Sequence, residues 1–191
     1  MNKIIAMGAD NGYMNKVETT IKSIAAFNDH FKIYVFNDDL PSEWFRVMNR
    51  RLAPLDSMVV NVKISDNNLR KYNLPTPHLS YAAYFRFFIP DMITEDKVLY
   101  LDSDIIVTGE LTSLFLIDLK GHSIGAVDDV YAYEGRKSGF NSGVLLMDVA
   151  KWKEHSIVNS LLELAAGQNQ AVHLGDQSIL NIYFENQWLE S

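Results

Sequence analysis

The stretch that decides the fold is Lys97-Val98-Leu99-Tyr100-Leu101-Asp102-Ser103-Asp104-Ile105-Ile106-Val107. Its apolar run, Val98 to Leu101, is typical of a fully buried strand, and two carboxylates follow it directly. In open α/β sheets, ligands bind beyond the carboxyl ends of such strands, which is where Asp102 and Asp104 fall. Taken alone, an Asp-x-Asp tripeptide is more often the polar start of a loop, so the rest of the chain has to decide.

The spacing of Asp102 and Asp104 favours a shared cation. Side chains two residues apart in an extended segment point the same way. At about 5 Å and an effective dielectric of about 20, two bare carboxylates repel by about 3 kcal/mol, and a divalent ion between them reverses the sign. Carboxylate oxygens suit Mg²⁺, Mn²⁺ or Ca²⁺ rather than zinc.

The composition excludes several classes of protein. The 191 residues are 48% hydrophobic and 21% charged, which is ordinary for a globular chain. The net charge of −7 argues against general nucleic-acid binding. Because cysteine is absent, disulfides, thiolate zinc sites and cysteine nucleophiles are excluded. The sequence shows no signal-peptide pattern and no apolar run long enough to cross a bilayer, so we expect a cytoplasmic protein without a membrane span.

Strand and helix patterns alternate on both sides of the opening stretch. Apolar runs predict strands at 4–7, 32–37, 57–64, 98–101, 123–127 and 144–147. Helical spacing predicts helices between them, the first capped by Asn15 with Glu18 and another, over 80–89, stopped by Pro90. This order is the signature of a parallel α/β sheet, and the chain is long enough for one substantial core.

Acidic residues follow several of the predicted strands at once. They are Asp10, Asp38, Asp39, Asp102, Asp104, Asp128 and Asp129. Since parallel strands end at the same edge of a sheet, we expect a polar cleft there with room for a cation. Arg86 is the only charged residue of the aromatic segment 80–89 and needs a partner, because an unpaired buried charge costs several kcal/mol. That partner is an aspartate in a structural ion pair, a bound anion, or the carboxylates of the cation site.

Five segments, in order, resemble the retaining glycosyltransferases of family 8, which have the GT-A fold. The segments are 9–13 (Ala-Asp-Asn-Gly-Tyr), 80–90, 99–104 (Leu-Tyr-Leu-Asp-Ser-Asp), 140–146 (Phe-Asn-Ser-Gly-Val-Leu-Leu) and 175–181 (Gly-Asp-Gln-Ser-Ile-Leu-Asn). They match the family's nucleotide loop, arginine-bearing helix, metal motif, Phe-Asn-[Ser/Ala]-Gly segment and Asp-Gln helix start. The resemblance implies one GT-A domain over residues 1–191, with a mixed, mostly parallel, Rossmann-like sheet flanked by helices.

The resemblance also implies a role for each matching residue. Asp102 and Asp104 would hold Mn²⁺ or Mg²⁺ against the diphosphate of a UDP-sugar. The implied substrate-binding residues are Ala9, Asp10, Tyr13, His78, Arg86, Ser103 and Asn141, and the implied catalytic residues are Asp129, Asp176 and Gln177. Simpler readings stand beside these roles: Asp10 as a turn residue, Asn141 as a bridge between loops, Asp176 as a helix cap, and His78 as an ordinary loop residue.

The implied reaction moves a hexose from UDP-glucose or UDP-galactose to a glycan, a lipid-linked sugar or a protein. The cation would neutralise the departing UDP as a Lewis acid. For retention we favour attack from the same face, with Gln177 stabilising the oxocarbenium-like state, because an amide is a poor nucleophile.

The sequence departs from the family in one respect. Family members continue into a His-x-x-Gly-x-x-Lys-Pro-Trp segment, whose histidine completes the metal site and whose lysine meets the diphosphate. None of the histidines lies in such a segment; they are His30, His78, His122, His155 and His173. We therefore expect a fragment or a shortened family member that lacks the usual C-terminal segment. Water would be its third metal ligand, its donor binding would be weak, and exposed apolar surface would favour homo-oligomers.

Other classes of protein explain the pattern less well. A haloacid-dehalogenase-type phosphatase also uses Asp-x-Asp after a strand, but wants Thr or Val where this chain has Ile106, and normally carries the motif near its start. A sugar-nucleotide-binding module without turnover is the stronger alternative, and turnover of a UDP-sugar separates it from an enzyme. A purely structural protein would not need Asp102, Asp104, Asp176 and Gln177 together.

Overall fold

The computed structural model describes residues 2–64, 81–132, 138–167 and 175–190. In this part of the chain, seven strands form one sheet in the order β3-β2-β1-β4-β6-β5-β7. The strands are β1 (Lys3–Gly8), β2 (Phe31–Asn37), β3 (Met58–Lys63), β4 (Lys97–Leu101), β5 (Ile124–Asp128), β6 (Phe140–Asp148) and β7 (Leu189–Glu190).

Helices flank the sheet on both sides. They are α1 (Met14–Phe27), α2 (Ser42–Leu52), α3 (Tyr81–Met92), α4 (Thr112–Phe115), α5 (Val149–Glu154), α6 (Ile157–Gly167) and α7 (Asp176–Tyr183). In α1 the buried residues Val17, Ile21 and Ile24 recur at helical spacing, so one stripe of the helix packs on the sheet. Among the described residues, no helix combines the length and the apolarity that crossing a bilayer requires.

The direction of the strands brings most of their ends together at one edge. β1 pairs in parallel with β2 and β4, and β2 pairs in parallel with β3. β6 runs antiparallel to both β4 and β5, so β5 has the same direction as β4. The carboxyl ends of β1, β2, β4 and β5 therefore lie at one edge of the sheet, together with the amino end of β6. We call this edge the carboxyl edge.

Each face of the sheet has its own apolar core. One core contains Ala6, Tyr34 and Tyr100 from the strands and packs under α3, α5, α6 and α7. The other contains Ile5, Val35 and Leu99 and packs under α1, α2 and α4. Because strand residues alternate between the faces, neighbours in sequence belong to different cores.

The mixed, mostly parallel sheet flanked by helices is confirmed, while three local expectations are wrong. Asn15 does not cap α1, because Asp10 instead caps a 3₁₀ turn over 11–13 that leads into the helix at Met14. Pro90 does not stop α3, which continues to Met92; the fixed φ of proline is close to the helical value, so the chain keeps its helical course although Pro90 cannot donate a backbone hydrogen bond. The extended segment ends at Leu101, and the chain turns at Ser103 and Asp104.

Candidate active site

Asp102 is held at the end of β4 by contacts to both its backbone and its side chain. Its amide donates to the carbonyl of Gly143 at the start of β6 (2.8 Å). Its Oδ1 accepts from the Tyr100 hydroxyl (2.8 Å) and from Nη2 of Arg86 (3.1 Å). An ideal Cβ built on Gly143 would lie 2.6 Å from Asp102 Oδ2, so this position has room for glycine only. The carboxylate is therefore fixed from three directions.

Arg86 of α3 is the cation that joins the elements of the site. Its Nη1 donates to the Ser142 carbonyl (2.6 Å) and hydroxyl (3.0 Å), and its Nε lies 2.8 Å from Oδ2 of Asp176 at the start of α7. This last contact is an ion pair without hydrogen-bond alignment: Asp176 Oδ2 is buried and has no hydrogen-bond partner among the described residues. One guanidinium thus serves two carboxylates, Asp102 and Asp176.

Burial determines the protonation of this cluster. Complete burial raises the pKa of Tyr100, so its hydroxyl stays protonated and donates to Asp102. Burial alone would lower the pKa of Arg86, but the neighbouring Tyr100, Asp176 and Asp102 outweigh it and raise that pKa. Burial also raises the pKa of Asp176, against the pull of Arg86 and with a further push from Asp102. The site therefore carries more acid than its cation balances.

Asp104 lies on the other side of the turn, against α1. Its Oδ2 is 3.5 Å from Nζ of Lys16, and that Nζ lies 4.1 Å from the centre of the Tyr13 ring. The Thr20 hydroxyl holds the turn itself, lying 3.0 Å from the carbonyl oxygen of Ser103 and 2.8 Å from that of Ile105. Asp104 opens onto a cleft of about 360 Å³ that α1 lines with Asn15, Lys16, Thr19 and Thr20.

The start of β6 and the start of α7 are fastened to each other. Gln177 Oε1 accepts from the amide (3.0 Å) and the hydroxyl (3.3 Å) of Ser142. Asn181, one turn later, accepts from the Phe140 amide (2.7 Å) and donates to its carbonyl (2.9 Å). Because a backbone amide can only donate, the oxygen of Gln177 is the atom committed to β6.

Asn141 and Asp129 extend the site toward β5. Asn141 Oδ1 accepts from the Gly143 amide (2.8 Å), and its Nδ2 lies 3.5 Å from Asp129 Oδ2. The other oxygen of Asp129 accepts from the Tyr131 amide (2.9 Å). Asn141 thus links the start of β6 to the residue that follows β5, and its side chain is exposed.

The segment after β1 also lies at the carboxyl edge. Asp10 Oδ1 accepts from the Tyr13 amide (3.1 Å), which is the turn role weighed for it, and Asn11 donates from its amide to Asp39 Oδ1 (2.7 Å). Ala9 is buried and its amide donates to the carbonyl of Phe36 (2.9 Å). Burial raises the pKa of Asp38, and the nearby Asp39 and Asp10 raise it further. The acids after β1 and β2 are therefore close together, as the strand pattern predicts.

One predicted site residue lies outside the described part of the chain, and three residues of the site were not predicted. His78 lies outside the described residues, so its predicted role stays a prediction. The sequence reasoning did not single out Tyr100, Ser142 and Asn181, which position Asp102, Arg86 and the start of β6. A signal for Tyr100 was present, because residues two apart on a strand share a face and Tyr100 precedes Asp102 by two.

The donor set of the site suits a hard cation only in part. Asp102 and Asp104 offer carboxylate oxygens, the ligands that Mg²⁺ and Mn²⁺ prefer. Within the described residues, no group of three or more histidine, aspartate or glutamate side chains could hold a metal ion. Any cation bound here would need oxygen ligands from water or from the substrate in addition to the two aspartates.

Comparison with known proteins agrees with this arrangement. The chain matches the family described as glycosyl transferase family 8 over residues 4–190. Glycosyltransferase GlyF of Streptococcus pneumoniae serotype 4 is 62% identical over 189 residues, which are 99% of this chain and 47% of GlyF. The crystal structure of the apo form of glycosyltransferase GlyE from Streptococcus pneumoniae TIGR4 superposes with a TM-score of 0.83 at 35% identity and covers 100% of this chain and 45% of GlyE.

A more distant structure supports the fold alone. The galactosyltransferase LgtC, solved in complex with donor and acceptor sugar analogues, superposes with a TM-score of 0.81 at 24% identity and covers 100% of this chain and 73% of LgtC. These matches define an α/β protein of the GT-A class. The chain belongs to glycosyl transferase family 8. It spans 47% of GlyF and 46% of GlyB, another glycosyltransferase of the same organism.

Proposed function

We propose that this chain forms the donor-binding part of a metal-dependent, retaining glycosyltransferase that moves a hexose from a UDP-sugar to a carbohydrate-bearing acceptor. The observation that carries the proposal is the charge balance at the carboxyl edge. One buried arginine serves two carboxylates, Asp102 and Asp176. A third acid, Asp104, is paired among the described residues only with the exposed Lys16, so three acids face two cations. Such a surplus of acid favours a bound divalent cation.

Each residue of the site has a proposed role that follows from its position. Asp102 and Asp104 would hold Mn²⁺ or Mg²⁺, and the loop with Asp10 and Tyr13 would contact the nucleoside. A bound cation would neutralise the charge that develops on the departing UDP. Asp129 and Asn141 would surround the hexose, and UDP-glucose and UDP-galactose are the donors we favour.

The proposed role of Gln177 depends on its contacts with Ser142. The amide and the hydroxyl of Ser142 both donate to Oε1, so this oxygen carries two hydrogen bonds before any substrate arrives. These bonds hold the side chain in one place, which suits a group that orients the sugar. For Oε1 to stabilise an oxocarbenium-like state, it would have to give up one of these bonds.

Thermal unfolding with and without ligands tests the donor site. Wild-type protein is heated alone, with UDP, with Mn²⁺, and with both, beside Asp104→Asn and the control Asp56→Asn. A ligand at about 100 times its dissociation constant adds about 2.7 kcal/mol, which raises the melting temperature by several degrees. We expect a shift that needs both ligands, disappears in Asp104→Asn and persists in Asp56→Asn, because Asp56 precedes β3 at the opposite edge of the sheet.

Either of two results would contradict part of the proposal. Wild-type protein that shows no shift with millimolar UDP and Mn²⁺ would exclude the metal-dependent nucleotide site. A shift without release of UDP from UDP-glucose or UDP-galactose, with or without acceptor sugars, would favour the alternative of a binding module.

A further inference from the structure

Tyr100 is buried on the same face of β4 as Asp102 and contacts that aspartate directly. Its hydroxyl donates to Asp102 Oδ1 at 2.8 Å, and its ring lies beneath Arg86, whose Cζ is 4.5 Å from the ring centre. The tyrosine is 3% exposed, so water does not compete for this hydrogen bond. Tyr100 therefore fixes both the carboxylate and the cation that pairs with it.

The two oxygens of Asp102 have different surroundings. Both hydrogen bonds that described side chains donate to the carboxylate end on Oδ1, from Tyr100 and Arg86. Oδ2 faces the backbone at Gly143, where an ideal Cβ would lie 2.6 Å from Oδ2 and 2.9 Å from Asn141 Oδ1, and 36% of the Asp102 side chain remains exposed. Among the described residues no side chain donates a hydrogen bond to Oδ2, so this oxygen is available to a ligand.

We infer that Tyr100 is a positioning residue that makes Asp102 a one-oxygen ligand and thereby sets which cation the site accepts. This inference rests on the proposed function, because it assumes that Asp102 binds a divalent ion. Ca²⁺ takes six to eight oxygens and often binds both oxygens of one carboxylate, whereas Mg²⁺ demands six near-octahedral ligands. A carboxylate with one oxygen committed to Tyr100 and Arg86 disfavours Ca²⁺ and suits Mn²⁺ or Mg²⁺.

The chain offers a matched control in Tyr34. Tyr34 pairs in register with Ala6, and Ala6 pairs with Tyr100, so the two tyrosines flank one residue on the same face of the sheet. The Tyr34 hydroxyl also donates to a carboxylate at 2.8 Å, but this is Glu95, which lies before β4 at the opposite edge. Tyr34→Phe and Tyr100→Phe each remove one buried hydroxyl and keep the ring.

The experiment measures cation binding by calorimetry in the presence of saturating UDP. Mn²⁺ and Ca²⁺ are titrated separately into wild-type protein, Tyr100→Phe and Tyr34→Phe. Removing a hydrogen-bond partner of a metal ligand typically weakens metal binding about 10- to 100-fold. We expect Tyr100→Phe to bind Mn²⁺ at least about tenfold more weakly and to discriminate less against Ca²⁺, whereas Tyr34→Phe keeps both dissociation constants within about twofold.

The outcomes separate this inference from the proposed function. If wild-type protein binds neither cation with UDP, both are overturned. If wild-type protein binds Mn²⁺ and Tyr100→Phe keeps the same affinity and preference, only the role of Tyr100 is overturned. The wild-type titrations decide even if Tyr100→Phe does not fold: Ca²⁺ binding as tight as Mn²⁺ binding contradicts the inference, and a clear preference for Mn²⁺ supports it.

Discussion

Two clusters on one face of the sheet use the same three kinds of side chain in different proportions. In each, a tyrosine hydroxyl donates to a carboxylate at 2.8 Å and a cationic group lies 4.5 Å from the centre of the tyrosine ring. The Glu95 cluster consists of Lys32, Tyr34 and Glu95, and the Asp102 cluster consists of Arg86, Tyr100, Asp102 and Asp176.

The clusters differ in charge balance and in exposure to water. The Glu95 cluster has one cation for one acid, with side chains 31% and 23% exposed for Lys32 and Glu95. The Asp102 cluster has one cation for two acids, and the Arg86 side chain is only 10% exposed. Water therefore screens the balanced pair and is largely kept from the unbalanced cation.

The pKa values of Glu95 and Asp176 are shifted in opposite directions. Burial works against ionisation of Glu95, but hydrogen bonds from Lys32 and Tyr34 outweigh it and lower the pKa of Glu95 to about 2. At Asp176 burial wins over Arg86, and the pKa rises. The charges of the Glu95 cluster are balanced. The Asp102 cluster has an excess of acid that a further cation would stabilise, which is the electrostatic character expected of a binding site.

The largest expected effect comes from removing the cation of each cluster. Arg86→Met leaves two acids without their buried partner, and we expect it to lower the free energy of unfolding by about 3–5 kcal/mol. Lys32→Met leaves one partly exposed acid that still accepts from Tyr34, and we expect a loss of about 1 kcal/mol. Urea unfolding of both variants measures the difference, and equal losses would show that the clusters are energetically alike.

A smaller effect is expected when one acid of each cluster is replaced, and the change in stability should differ in sign between Glu95 and Asp176. Glu95→Gln removes a well-paired carboxylate, and we expect it to destabilise the protein by about 2 kcal/mol at pH 7. Asp176→Asn leaves Arg86 balanced by Asp102, and we expect unchanged or slightly increased stability. Urea unfolding at neutral pH makes the comparison, and a strong destabilisation by Asp176→Asn would contradict the surplus of acid at the site.

The stability contributed by Glu95 also depends on pH. Because its pKa lies lower in the folded protein than the usual 4.5, this stability is complete above about pH 4.5 and is lost as the pH falls toward 2. Glu95→Gln should therefore show a flatter loss of stability than wild type between pH 4.5 and pH 2. Parallel curves for the two proteins would show that other carboxylates control acid unfolding.

Much of the fold follows from patterns that the sequence carries locally. The apolar runs locate β1, β2 and β4, and the acids behind them identify the carboxyl edge, because parallel strands end together. The direction of β6 could not be predicted in this way. The run 144–147 has the same pattern in either direction, and only pairing with β4 and β5 makes it antiparallel.

The site was less predictable than the fold, because its residues act across distances in sequence. Arg86 was expected to have a partner, but the choice among candidates depends on α3, β4 and α7 meeting in space. Likewise, the turn at Ser103 and Asp104 is held by Thr20 of α1, more than 80 residues earlier. The alternation of side chains along a strand takes no account of this contact. It therefore predicted that Asp102 and Asp104 share one face of an extended segment, whereas the chain turns between them.

The smallest expected effect concerns a third group with the same chemistry, the exposed pair of Lys16 and Asp104. The side chains are 52% and 46% exposed, and pairs of this kind contribute little to stability. We expect Lys16→Gln to change the free energy of unfolding by less than about 0.5 kcal/mol, the same as the control Lys22→Gln, which removes an exposed lysine that pairs with Glu18 on the same helix. Urea unfolding without ligands measures both. A loss above about 1 kcal/mol for Lys16→Gln alone would mean that this pair, like the Glu95 cluster, is part of the folded framework and is not a contact available for exchange when ligands bind.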